Sequence, residues 1–118
     1  MDELTPPECF AEEWTRYLAN HGHRVVRQSE SSILLSRDDR GLRYRWLLRS
    51  EDADSVLLSD ADRKCIRRQN RLAQRAGEKC FLVVKFGLPG GKAVIVPAAH
   101  ASTLRRLSAK VGGIPWEY

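Results

Sequence analysis

Long apolar stretches are missing from this 118-residue chain. The longest runs, at 81–84 and 93–99, are far too short to cross a membrane as a helix. Cysteine is scarce: Cys9, Cys65 and Cys80 are odd in number, widely spaced and without a C-x-x-C pair. That pattern excludes a disulfide framework and a zinc ribbon, and it predicts reduced, mostly buried thiols. His21, His23 and His100 have no second ligand at metal spacing and are expected at the surface. No G-x-S-x-G elbow sets up a nucleophile. The glycine-rich stretch Gly87-Leu-Pro-Gly-Gly-Lys92 lacks the Walker A spacing and leads into Ala93 and an apolar strand, so it reads as a hairpin turn. The acidic start Met1-Asp-Glu-Leu lacks the basic-then-apolar pattern of a secretory leader, which points to a cytoplasmic location.

Charge is abundant and unevenly placed. The formal net charge is +5 with a pI near 9.4, and 30% of residues are charged. Residues 1–13 hold five acids and no base, whereas residues 63–79 hold seven bases and one acid, Glu78. Fifteen of the twenty basic residues are arginine, whose planar fork suits bidentate contact with phosphate. With 42% hydrophobic residues, the chain has the composition of one globular domain, 1–118, with one core.

The hydrophobic periodicity divides the chain into elements. After a short disordered lead ending at Pro6-Pro7, a helix starts near Glu8, with Phe10, Trp14 and Leu18 on one stripe. Short strands follow around Val25 and Val26 and over 31–37, then a turn at Asp38-Asp39-Arg40-Gly41. The strand over 42–49 alternates, with Leu42, Tyr44, Trp46 and Leu48 on one face and Arg43, Arg45, Leu47 and Arg49 on the other. Trp46 is therefore a core residue. A polar, acidic loop spans 50–55. Ser59 and Asp62 form a capping box that opens a helix ending at Gly77. Its core side uses Ile66, Ala73 and Ala76, flanked by Leu72 and Cys65. The apolar strand over 80–86 is expected to be buried on both faces. A last strand over 92–96, a short helix over 101–110 and a tail carrying Trp116 as a packing anchor complete the chain.

Lys64, Arg68, Arg71 and Arg75 recur at spacings of four, three and four, so they share one helix face, which Arg63 and Arg67 widen. Solvated helix faces usually mix signs, and like charges at i,i+4 oppose the helix. A run this uniformly basic therefore points to a polyanion.

The order helix, strand, strand, strand, helix, strand resembles the core of the PD-(D/E)XK nuclease superfamily, the restriction-endonuclease-like fold of Holliday junction resolvases and VRR-NUC domains. Tyr44-Arg45-Trp46-Leu47-Leu48-Arg49, Leu58-Ser59 and the apolar strand at 81–84 follow that outline, over roughly the middle half of the chain. The resemblance implies a three-layer α-β-α fold of order α-β-β-β-α-β-β-α with a mixed sheet. It also implies Mg²⁺ held by an Asp of the second strand and the Glu of a Glu-x-Lys motif, with the Lys positioning water. Carried over by position, the Asp falls near Ser32, the Glu on Leu47 and the Lys on Arg49. Both carboxylates are missing, and arginine binds phosphate without readily releasing a proton.

The resulting expectation is a nuclease-like domain without catalytic residues or a cofactor. It would hold nucleic acid, DNA rather than RNA, on Arg43, Arg45, Arg49, Arg63, Lys64, Arg67, Arg68, Arg71 and Arg75. It would do so as a homodimer or within a hetero-complex. Two alternatives stand beside it. One is a Mg²⁺-dependent endonuclease with relocated carboxylates drawn from Asp38, Asp39, Glu51, Asp52 and Asp54. The other is a protein-interaction module whose acidic start and basic helix pair with another subunit or with each other.

Overall fold

The structure is a computed structural model and describes residues 6–30, 32–51, 53, 55–86, 93–108 and 114–116. Helix α1 (Pro6–Asn20) leads into β1 (His23–Glu30), β2 (Ile33–Asp38), β3 (Arg43–Glu51) and β4 (Ser55–Leu57). Helix α2 (Asp60–Ala76), β5 (Glu78–Phe86) and β6 (Ala93–Pro97) follow. The chain continues through the single-turn helix α3 (Ala98–Ala101), β7 (Arg106–Ser108) and β8 (Ile114–Trp116).

Six strands form one mixed sheet in the order β1-β2-β3-β5-β6-β8, and β4 pairs with β7 in a separate ribbon. Neighbours in the large sheet run antiparallel except β3 and β5. Parallel strands cannot be joined by a tight turn, and here α2 is the crossover between them.

Helices cover both faces, giving the expected three-layer α-β-α arrangement. On one face the α1 stripe of Phe10, Trp14 and Leu18 packs on Leu34, Trp46, Leu48 and Val83. On the other, Ile66 and Ala73 of α2 and Ala98 and Ala101 of α3 pack on Ile33, Leu47, Leu82 and Val84. Strand β5 lies at the centre with both faces buried, which accounts for its unbroken apolar run. Strand β3 alternates as its sequence requires, with Trp46 and Leu48 toward α1 and Leu47 toward α2. Among the described residues, no helix is long and apolar enough to cross a membrane.

Several sequence-based expectations are corrected. Helix α1 begins at Pro6, two residues before the expected start, because a proline in the first turn has no intrahelical N–H bond to lose. Leu42 sits in the turn and is exposed, as is Val26, which falls where the β1–β2 register slips between Val25 and Arg27. The polar stretch after β3 is shorter than expected, because β3 continues to Glu51 and β4 starts at Ser55. The helix expected over 101–110 is instead α3 followed by β7. Ser102 and Thr103 turn their hydroxyls back onto the carbonyls of Ala99 and His100, which competes with helix continuation. Leu107 then buries beside Val56 in the α2-side core. Cys65 is exposed, Cys80 is buried, and the side chain of Cys9 lies outside the described residues. Leu72 is also exposed, and His23 is half-buried rather than superficial. The glycine-rich turn at 87–92 and the Trp116 side chain likewise lie outside the described residues.

Candidate nucleic-acid interface

Helix α2 has both ends fixed by local chemistry. Ser59 Oγ accepts the Asp62 N–H at 3.1 Å, and Asp62 Oδ2 accepts the Ser59 N–H at 2.9 Å, which closes the capping box. Gly77 ends the helix at φ 71°, a left-handed position open to glycine at no steric cost. With Ile66 and Ala73 turned into the core, 3.6 residues per turn carry Lys64, Arg68, Arg71 and Arg75 to the opposite side. All four are exposed, and none forms an ion pair among the described residues.

The other expected binding residues divide. Arg63 is tied to the start of α2: it pairs with Asp60, and its Nη1 donates to the Leu58 carbonyl at 3.0 Å. Arg67 reaches the Ser102 carbonyl at 3.4 Å and links α2 to the end of α3. Arg45 is mostly buried, with Nε 2.9 Å from Glu78 Oε1 and Nη1 2.7 Å from Gln69 Oε1. It serves as a strut joining β3, β5 and α2 rather than as an open phosphate contact. That corrects the sequence assignment, because Glu78 sits 33 residues away and meets Arg45 through the parallel β3–β5 pairing. Arg43 remains exposed, its guanidinium against Gly77 and 3.4 Å from where a Cβ there would lie.

Arg49 lines a cleft of about 350 Å³ between α2 and the strands β2 and β3. Ile33, Leu47, Ile66 and Leu82 form the floor; Ser32, Arg49, Asp62, Cys65, Arg68 and Gln69 form the polar rim. The positions matched to the nuclease motif, Ser32, Leu47 and Arg49, do converge here. Their chemistry does not fit a hard cation. Leu47 is buried and has no donor, and Arg49 is itself a cation. The Arg49 guanidinium lies between two carboxylates, with Nε 2.7 Å from Glu51 Oε1 and Nη1 3.3 Å from Asp62 Oδ2. Burial works against its charge, but the hydrogen bond it donates to Glu51 and the nearby Asp62 outweigh this and hold its pKa above the ordinary value. Burial alone would raise Asp62, yet the Ser59 N–H and hydroxyl, together with Arg49, hold its carboxyl below the usual range. Asp62 was legible in the sequence as a cap. Its second role as a partner of Arg49 was not, since it depends on how α2 lies over β3.

The described acids among those considered for a relocated metal site are spread out. Asp38 organises the β2–β3 turn: Oδ1 accepts the N–H groups of Arg40 and Leu42, each at 2.9 Å, and Oδ2 accepts the Tyr44 hydroxyl at 3.0 Å. Asp39 is exposed in the same turn, and Asp52 and Asp54 lie outside the described residues. Among the described acids of that group, Glu51 alone is placed next to the motif positions, where it holds Arg49.

A further group of arginines was not singled out in the sequence. The pairing register sets Arg24 opposite Arg37 and Arg37 opposite Arg43, one row across β1, β2 and β3. One row further along, Arg27 faces Leu35 and Leu35 faces Arg45. Leu35 packs on the α2-side core and Arg45 bonds α2, so both rows lie on the α2 face of the sheet. Arg24, Arg27, Arg37 and Arg43 are exposed there.

No family model matches the chain, and no curated protein matches it. Among solved structures, the chain is similar to Hjc, a Holliday junction resolvase from the archaeal hyperthermophile Archaeoglobus fulgidus. The TM-score is 0.65 at 12% sequence identity, over 88% of this chain and 84% of the resolvase. The nuclease-like fold is thus shared over almost the whole chain, while sequence identity is very low.

Proposed function

We propose that this protein holds nucleic acid on a nuclease-like scaffold and does not cut it. The observation that carries this reading is the cleft at the motif positions, where Leu47 forms the floor and Arg49 is locked between Glu51 and Asp62. An arginine salt bridge occupies the part of the fold where the nuclease motif would place metal-binding carboxylates. Beside it, Lys64, Arg68, Arg71 and Arg75 present an unneutralised basic face of about 16 Å, at 1.5 Å rise per residue. The fold shared with a Holliday junction resolvase favours DNA as the polyanion. Binding on this reading is led by phosphate charge and falls steeply with salt. A homodimer or hetero-complex in the cytoplasm is the setting in which we place it.

Fluorescence anisotropy with a labelled DNA duplex tests the reading. The expected result is binding in the micromolar range or tighter that collapses as salt rises, and that weakens in Arg68→Ala/Arg71→Ala. Binding indifferent to that double substitution would overturn the assigned surface. Cleavage of plasmid DNA with Mg²⁺ or Mn²⁺ would overturn the non-cutting part.

A further inference from the structure

Three exposed arginines set directly opposite one another on adjacent strands are costly, because like charges in cross-strand register repel. Arg24, Arg37 and Arg43 stand in that arrangement across β1, β2 and β3, and none forms an ion pair among the described residues. Asp39 lines the same surface depression as Arg24 and Arg37, but no described acid comes within ion-pair distance of the three. Asp38 spends its oxygens on the turn and on Tyr44, and Glu78, next in the row after Arg43, is paired with Arg45. The row lies on the open part of the α2 face. Helix α2 packs chiefly on β5, and Arg24 and Arg37, near the start of β1 and the end of β2, are exposed. At its inner end, the Arg43 guanidinium rests on Gly77, the C-cap of α2. That cap follows Arg71 and Arg75, so the row joins the helix stripe at a corner.

We propose that Arg24, Arg37 and Arg43 form a second phosphate-binding element, which takes a stretch of duplex nucleic-acid backbone separate from that held by α2. This rests on the nucleic-acid reading above and extends it from a helix face to a two-sided surface. Strands about 4.8 Å apart make the row about 10 Å wide. It runs across the strands, whereas the helix stripe follows the α2 axis. A polyanion that bridges both elements neutralises the repulsion within the row, which explains why three cations persist there without an ion pair among the described residues.

The test uses the full chain, a labelled duplex of about 20 base pairs and a salt series. Arg24→Gln/Arg37→Gln/Arg43→Gln is compared with Arg68→Ala/Arg71→Ala and with the unaltered protein, and thermal unfolding is followed for each. We expect the triple variant to bind on the order of tenfold more weakly at 0.1 M salt and to flatten the slope of log affinity against log salt by about 2.7, for three lost phosphate contacts. Its thermal midpoint should be unchanged or higher, because the cross-strand repulsion is gone. A structural role for the row would instead lower the midpoint and leave the salt slope intact, and that result overturns the proposal. So does a triple variant that matches the unaltered protein while the helix variant is weakened; in that case the helix reading stands alone. Failure of the unaltered protein to bind any duplex would remove both readings together.

Discussion

The two faces of the central sheet follow different rules. Under α1 the face is closed and aromatic. Trp14 meets Trp46 edge-on at 5.5 Å, and Trp46 stacks with Tyr44 at 5.5 Å and with Phe81 at 5.2 Å. The buried hydroxyl of Ser36 accepts the Trp46 indole N–H at 2.8 Å, a polar contact made inside this layer. Under α2 the face is aliphatic where the helix covers it and basic where it does not, with a cleft between. The contrast separates stability from surface chemistry. The α1 side has the large, shape-specific contacts that fix the fold, and this leaves the α2 side free to keep ion pairs and repelling arginines that add little to stability.

That division is most directly broken at Trp46. Trp46→Ala removes its ring contacts with Trp14, Tyr44 and Phe81 together with the donor to Ser36, from a site only 7% exposed. A loss of about 3–5 kcal/mol is expected in urea or thermal unfolding. Duplex binding by whatever fraction stays folded should be unchanged, because the substitution lies on the opposite face from the arginines. A loss under 1 kcal/mol would show that the aromatic layer does not anchor the fold.

A smaller effect is expected from Glu78→Ala on the α2 side. The Arg45 and Glu78 side chains are 13% and 9% exposed, and removing the carboxylate strands a mostly buried guanidinium with Gln69 as its remaining side-chain partner. Breaking such a pair from one side costs about 3 kcal/mol, although the intact pair itself stabilises little. Replacing both members with apolar residues of similar volume, Arg45→Met/Glu78→Leu, should recover most of that loss. If the double variant is as unstable as the single one, Arg45 has a role beyond its ion pair.

The sequence made the elements legible wherever the signal was local. The capping box at Ser59 and Asp62, the glycine stop at Gly77, the α1 stripe and the doubly buried β5 all follow from neighbouring residues, and all are present. Strands β4, β7 and β8 were not legible. Each is three residues long, and β4 and β7 pair across about fifty residues of chain. The candidate site divides in the same way. The helix stripe follows from spacing within α2. The locking of Arg45 by Glu78, the place of Asp62 beside Arg49 and the row Arg24–Arg37–Arg43 depend on register between strands. A slip of one residue at Val26 is enough to hide that row from a period-two reading of β1.

The smallest expected effect concerns His23, at the rim of the aromatic layer. Its Nδ1 lies 3.3 Å from Ser36 Oγ, and its ring meets Tyr44 edge-on at 4.7 Å. The Ser36 oxygen already accepts the Trp46 indole, so its own hydrogen is free to be donated to a neutral His23 Nδ1. Burial is the main influence on the imidazole and lowers its pKa, helped by the neighbouring His21; Asp38 and Asp39 pull the other way without reversing the shift. A histidine with a depressed folded-state pKa takes up a proton more readily when unfolded. The stability it contributes is therefore complete above about pH 6.5 and is lost as the pH falls toward its folded-state value. Asp38 and Asp62 are held below the usual carboxylate range, so their contribution is lost only below about pH 4. Thermal midpoints recorded from pH 8 to pH 3 should show two separate declines. His23→Gln should remove the upper one and leave the lower in place. An upper decline that survives His23→Gln would mean that the aromatic layer does not sense this proton, and that the two faces differ in packing alone.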